Sequence, residues 1–476
     1  MLNKKDKKIA IIGAGPAGLS AAYILTKDGY AVDVYEKENQ VGGICKTIKM
    51  WGYLVDFGPH RFFCKEKKIN QLWLEVVKKD YKMINRLTRI LYRGKFFNYP
   101  LKPFNALFSL GISESVRAVL SYVKERISPS KSSPTWESWM TGKFGKRLYE
   151  IFFKGYSEKL WGIKMSEFSE DWASQRVKKF SLMSAILSSI IPKKQEKHHT
   201  LTDQFAYPLK GTGMVYERMA DFVKRKGGNV YLNQKIDKVI VKNKKTWGIE
   251  IKNSRKKYDH VISCMPITSL VKNIDDSPKN VKKAASKLTY RNNVFVYFKI
   301  KNANVFPDQW IYINAKENDI CRVTNFRNWA PTLYGKNDYT VLTAEYFCSA
   351  EDRVWKNDDK TNISLARRDI VKTKIVKPKE IVDAKVIKMS KSYPVYKIGY
   401  KKHLFKISEY LDSISGLHAI GRYGSFKYNN QDHSILMGMK AAEIISGSIK
   451  HNLWKINTDY EYQEKATITE TGLVSE

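Results

Sequence analysis

Three features of the sequence predict an α/β fold. It would be built on a Rossmann-type nucleotide-binding domain that is discontinuous along the chain, with a helical insertion and an antiparallel β-sheet domain on the substrate side. The first feature is a strand, glycine turn, helix, strand and acid within the first 36 residues. The second is helical spacing of apolar residues between 104 and 190. The third is a return to strand-like runs from residue 229 onward, closing on another glycine turn and a helix.

Lys8–Ile12 is a short apolar run of strand character, and Gly13-Ala14-Gly15-Pro16-Ala17-Gly18 follows at once. Leu19, Ala22, Tyr23 and Leu25 then recur at helical spacing. Ala31–Tyr35 reads as a second strand with Glu36 at its end, 18 residues past the last glycine. Each part of this GxGxxG succession has a physical task. Gly13 permits the tight turn, Gly15 lets backbone approach a pyrophosphate, and Gly18 lets helix and strand pack closely. The helix start offers free N–H groups and the positive end of its dipole to phosphate. A carboxylate at Glu36 suits a ribose hydroxyl pair and repels a 2′-phosphate. The pair Gly42-Gly43, shortly after the acid, is similar to FAD-binding oxidoreductases of the amine-oxidase and glutathione-reductase type. That resemblance implies FAD, with both glycines admitting the cofactor close to backbone.

The runs 113–127, 136–159 and 171–191 carry helical periodicity and are separated by Pro129, Pro134 and Gly155. Strand-like runs lie at 229–232, 238–241, 247–251 and 261–264. Those at 294–300, 310–313 and 340–347 suggest an antiparallel sheet. Residues 416–424 read as strand and glycine turn, and 434–449 as a closing helix. The expected division is 1–100, 205–285 and 395–450 for the FAD-binding domain, 101–204 for the helical substrate domain, and 286–394 for the antiparallel sheet. A polar tail then occupies 451–476.

Composition bounds the function classes. Of 476 residues 43% are hydrophobic and 28% charged, which excludes a disordered or fibrous chain. Five cysteines with no CxxC pair argue against a disulfide framework or a structural zinc, and fit a reducing compartment. No run approaches the roughly 20 apolar residues of a membrane span. The best stretch, 9–26, is interrupted by Gly13, Gly15, Pro16 and Gly18. A cytoplasmic protein is expected. The net charge of +37 comes from lysines scattered singly, without a nucleic-acid motif; the densest cluster, Lys193, Lys194, Lys197, His198 and His199, reads as a loop after Pro192.

Blocks spread over most of the chain resemble the UDP-galactopyranose mutase family. Phe57-Gly58-Pro59-His60 is similar to the family's histidine loop beside the flavin, with Pro59 replacing a glycine. Tyr156, Lys159 and Trp161 fall where the family has Tyr, Lys and Trp near the substrate. Gly421-Arg422-Tyr423-Gly424 and Tyr428-Asn429-Asn430-Gln431-Asp432-His433-Ser434 are close to its C-terminal signature. The resemblance implies that Arg176 and Arg322 clamp a substrate diphosphate, with Tyr312 ten residues before Arg322, and that Tyr393 and Tyr428 reach the same diphosphate. Arginine forks suit that task because they bond phosphate bidentately.

Carried over position by position, the resemblance implies three sets of residues. His60, Arg176 and Arg322 are catalytic. Tyr156, Trp161, Tyr312, Tyr393, Tyr428 and Asn430 bind substrate. Gly13, Gly15, Gly18, Glu36, Gly42, Gly43, His60, Gly421, Arg422, Gln431 and Asp432 bind the cofactor. No metal is implied. The reaction implied is a redox-neutral pyranose–furanose interconversion of a nucleotide-diphosphate sugar for polysaccharide precursors. FAD acts in its reduced form through N5, and NAD(P)H is a candidate reductant. His60 would contact the flavin and favour its anionic reduced form. Nucleic acid is not an expected partner, and any membrane contact would be peripheral.

Two departures leave the base and sugar open. The family's uracil-holding Tyr and Gln fall near Arg89 and Tyr92, and Ser157 replaces an asparagine. A flavin oxidase or desaturase of the amine-oxidase type shares the same layout. A non-enzymatic flavin protein that binds nucleic acid has only the charge in its favour.

Overall fold

The structure, a computed structural model, describes residues 6–99, 101, 109–172, 204–315, 317–330, 333–448, 451–457 and 473. Lys8–Ile12 lies in the middle of a five-stranded parallel sheet. The strand order is Leu417–Ala419, His260–Ser263, Lys8–Ile12, Ala31–Tyr35, Asn229–Tyr231. Ile9, Ala10 and Ile11 are fully buried, as expected of a parallel strand covered on both faces. The sheet therefore collects strands from three separated stretches of chain, in line with a discontinuous nucleotide-binding domain. Helix Pro16–Lys27 packs against Gly213–Arg225 and Gln431–Ser446. A Cβ on Gly438 would stand 2.4 Å from the Ala17 carbonyl oxygen, so bare backbone sets how closely the last helix lies on the first.

The second layer is a seven-stranded sheet in the order Ile381–Pro394, Tyr290–Lys301, Tyr339–Cys348, Arg322–Asn325, Trp310–Ile313, Thr88–Tyr92, Lys95–Asn98. It is antiparallel except where Trp310–Ile313 runs parallel to Thr88–Tyr92. The expected boundary at residue 100 put the last two strands in the nucleotide domain, but they extend the substrate-side sheet instead. Ile90, Leu91 and Phe97 are buried there. The period-2 pattern of a short strand reports which face is covered, and nothing in it names the sheet it joins.

A helical region packs against the seven-stranded sheet through Gly155–Trp161 and strand Tyr339–Cys348. Ile112–Ile127 is one helix as expected, whereas the run 136–159 divides into Trp136–Phe144, Lys146–Tyr149, a π-turn at Glu150–Lys154, and Gly155–Trp161. The first break falls at Gly145, where φ is +77° and a Cβ would meet the Tyr122 backbone at 2.8 Å. Helix 112–127 crosses too close there for any side chain. The helix expected from 171 to 191, and with it Arg176 and the Lys193–His199 cluster, falls almost wholly outside the described residues. Among the described residues no helix is long and apolar enough to cross a membrane.

Candidate active site

The two layers meet at a cavity of about 510 Å³. One end is made of backbone. Helix Pro16–Lys27 begins at Gly15 with no side-chain cap, so its first-turn N–H groups are left for a ligand. Gly15 and Gly43 pack backbone to backbone: a Cβ on Gly43 would lie 3.2 Å from the Gly15 Cα. Gly42 has φ +105° and donates to the Ala14 carbonyl at 2.8 Å, tying the two glycine loops together. A Cβ on Gly18 would stand 2.0 Å from the Gly13 carbonyl oxygen. Glu36 is buried at the strand end and accepts from the amides of Ala14 (2.9 Å) and Glu38 (3.0 Å), while its carboxylate still lines the cavity.

The opposite end is made of side chains. Strand register sets Tyr312 opposite Arg322, and Arg322 opposite Glu345, in one row across three strands. The ten-residue interval between Tyr312 and Arg322 is therefore the register of a β-hairpin. Arg322 forks onto Glu345 with Nε–Oε1 at 2.7 Å and Nη2–Oε2 at 2.5 Å, and Glu345 is fully buried. Gly58, at φ +86°, gives this pair room, since its Cβ would lie 3.0–3.1 Å from both partners. Tyr156 stands edge-on to Tyr312 at 5.4 Å. Trp161 is buried behind Tyr393 and Tyr428 at 6.2 and 6.1 Å; it supports those rings and does not line the cavity.

Arg422 lies over the rings of both Tyr393 (4.3 Å) and Tyr428 (4.4 Å), which are themselves neighbours at 5.3 Å. Its Nε donates to the Ser392 carbonyl and its Nη1 to that of Asn429, while Nη2 is buried without a partner. No carboxylate pairs with Arg422 among the described residues. It is thus a cavity-lining cation with a spare donor, and cation–π contact with two adjacent phenol rings helps to hold it there.

His60 is positioned by its neighbours. Gln431 donates to the carbonyls of His60 (3.1 Å) and Arg61 (3.3 Å). The fully buried Asp56 accepts from Thr47 (2.5 Å), Tyr207 (2.8 Å) and Thr212 (2.8 Å) and so ties the histidine loop to the 211–213 turn. His60 Nε2 donates to the Phe57 carbonyl at 2.9 Å, which fixes the tautomer and leaves Nδ1 as an acceptor, 3.9 Å from the Cys45 sulfur. Burial and then the Arg322 guanidinium pull His60 down to about 3. The imidazole is therefore held in its neutral form at this place.

Several of the residues singled out by the resemblance have structural partners. Lys159 Nζ stands 2.9–3.2 Å from four backbone carbonyls, those of Ile313, Ala315, Asn318 and Ile320, and shares its three protons among them, which makes it a staple for that loop. Asn430 caps helix Gln431–Ser446 and also lines the cavity. Asp432 is buried beside His433 at 3.2 Å. Arg89, near the position of a uracil contact in the resemblance, forks onto the buried Asp308.

Sequence reading missed Glu345 and Asp56. Both are lone acids in otherwise apolar strands, Tyr339–Cys348 and Tyr53–Asp56, and an acid there is a signal because it must find partners when buried.

The cavity fits FAD on these observations: uncapped helix amides, two glycine loops in backbone contact, a ribose-facing acid, and an orphaned buried guanidinium. Comparison with known proteins agrees. The flavin containing amine oxidoreductase family model matches residues 16–395. A probable UDP-galactopyranose mutase from Klebsiella pneumoniae is 31% identical over 171 residues, 34% of this chain and 43% of that protein, so the match spans under half its length. Coproporphyrinogen III oxidase from Staphylococcus aureus is 22% identical over 439 residues, covering 85% of this chain and 92% of that one. A solved structure of reduced UDP-galactopyranose mutase superposes with a TM-score of 0.83 at 22% identity, over 96% of this chain and 100% of that chain.

Proposed function

The chain belongs to the flavin containing amine oxidoreductase family, and on that premise we propose that it is a FAD-dependent mutase interconverting pyranose and furanose forms of a nucleotide-diphosphate sugar. The observation that carries the reading is one continuous cavity, running from the glycine turn to the Tyr312, Arg322, Tyr393 and Tyr428 wall. An apolar substrate would not need such a wall; a diphosphate beside a flavin would.

Bound and reduced, the flavin supplies the nucleophile for the anomeric carbon. The two thiols that line the cavity are poor candidates for that part: burial raises Cys45 and Cys264 well above their ordinary range, so neither is a thiolate at neutral pH. Glu345 occupies Nε and one proton of Nη2 on Arg322, leaving Nη1 for a phosphate oxygen. Burial holds the phenol of Tyr393 protonated, so it can donate to negative charge growing on the leaving diphosphate, while Tyr156, which does not line the cavity, backs Tyr312. Arg422 presents its spare N–H to an electron-rich group, and Trp161 keeps water from behind the tyrosine rings. Arg176 would complete the clamp; it lies outside the described residues.

The match to coproporphyrinogen III oxidase along 85% of the chain favours a second reading, a flavin oxidase. One experiment separates them. Dithionite-reduced protein is incubated without oxygen with a set of nucleotide sugars, and products are resolved by chromatography. The mutase reading expects ring-form interconversion with no net electron consumption and none by oxidised protein. Oxygen consumption with a porphyrinogen or amine, and no sugar isomerisation, overturns it.

A further inference from the structure

Helix Ile112–Ile127 carries an apolar face that no other element covers among the described residues. Ile112 (87% exposed), Leu120 (62%) and Ile127 (80%) stand out to solvent, joined by exposed Val116, Val119 and Val123. At helical spacing these six side chains fall within an arc of about 100°. The borders are cationic, with Arg117 and Lys124 on one edge and Arg126 on the other. Lys124 forms no ion pair among the described residues. The two carboxylates of the helix point back toward the protein or its loop: Glu114 accepts from Arg147 and Arg117, and Glu125 from Ser130. Ala118 and Tyr122 form the buried back.

We propose that this helix is a peripheral docking element that lays its aliphatic stripe into the headgroup–acyl boundary of an anionic phospholipid bilayer. The sixteen-residue helix lies along the surface and does not span it. Its long basic side chains at the stripe's borders reach headgroup phosphates while their stems follow the apolar face. Charge selects this occupant over the alternatives. The chain carries a net +37, so a second copy is repelled where an anionic surface is attracted. A nucleic acid shares the charge preference but offers no apolar phase for six aliphatic side chains. The inference is independent of the mutase reading, because no cavity residue takes part.

The test is vesicle flotation of the purified flavin-loaded protein. The probes are equimolar phosphatidylglycerol–phosphatidylcholine vesicles and pure phosphatidylcholine vesicles. Wild type should float with the anionic vesicles, and less so as salt rises. Leu120→Gln/Ile127→Gln should lower partition by roughly tenfold or more, with thermal unfolding and flavin content unchanged. Lys124→Glu should lower it further than Lys244→Glu, a charge-matched change on the exposed turn between strands Lys238–Lys242 and Lys245–Ile251. Four results would overturn the proposal: no flotation of wild type; flotation untouched by the Gln pair; equal losses for the two Lys→Glu variants; or self-association that the Gln pair abolishes in the absence of vesicles.

Discussion

The two ends of the cavity are built by opposite means. At the nucleotide end the working surface is backbone, and what matters is the absence of side chains at Gly13, Gly15, Gly18 and Gly43. At the clamp end it is a row of long side chains, Tyr312, Arg322 and Glu345, drawn from three neighbouring strands. The first kind of site tolerates no added atom. The second tolerates no lost partner. A flavin needs a rigid, sterically defined seat, whereas the departing diphosphate of the proposed reaction would need charge held under restraint, and on that reading the two halves divide the work.

Breaking the clamp end should cost most. Glu345→Ala strands the buried Arg322 guanidinium without its counter-charge, and should lower stability by about 3–5 kcal/mol in denaturant unfolding. An effect below about 1 kcal/mol would mean that the pair is no tighter than a surface one. At the nucleotide end, Gly18→Ala pushes a methyl into the Gly13 carbonyl. It should release flavin, read from the yellow absorbance, and cost roughly 3 kcal/mol. Retained flavin would contradict the seat described here.

A smaller effect sharpens the contrast at the seam. The depressed His60 takes up a proton readily only when unfolded. Between its ordinary value near 6.5 and the folded value of about 3, the unfolded chain therefore binds more protons, and stability falls as pH drops through that window. His60→Gln should flatten this part of the thermal unfolding profile. An unchanged slope would assign the acid sensitivity to other groups.

The same contrast explains what the sequence discloses. The nucleotide seat is contiguous, so the interval from Gly13 to Glu36 displays it almost whole. Tyr312 and Arg322 are legible as a pair because a hairpin fixes their interval. Glu345 is not, since it lies 23 residues from Arg322 and only the strand register brings the two together. Asp56 escapes for a related reason: two of its three partners, Tyr207 and Thr212, lie more than 150 residues away. The layer that strands 88–92 and 95–98 join is not legible, because local periodicity names a buried face and leaves the neighbour unnamed. The neutral state of His60 needed the burial and the two nearby guanidiniums that only the fold supplies.

The central claim is that Arg322 holds a diphosphate beside the flavin. Arg322→Lys tests it most directly, since lysine keeps a charge for Glu345 but loses the fork. Titrating flavin-loaded protein with a panel of nucleoside diphosphates by calorimetry should show the best ligand bound roughly tenfold more weakly by the variant, with the flavin spectrum unaltered. Equal affinity in both proteins would contradict the account.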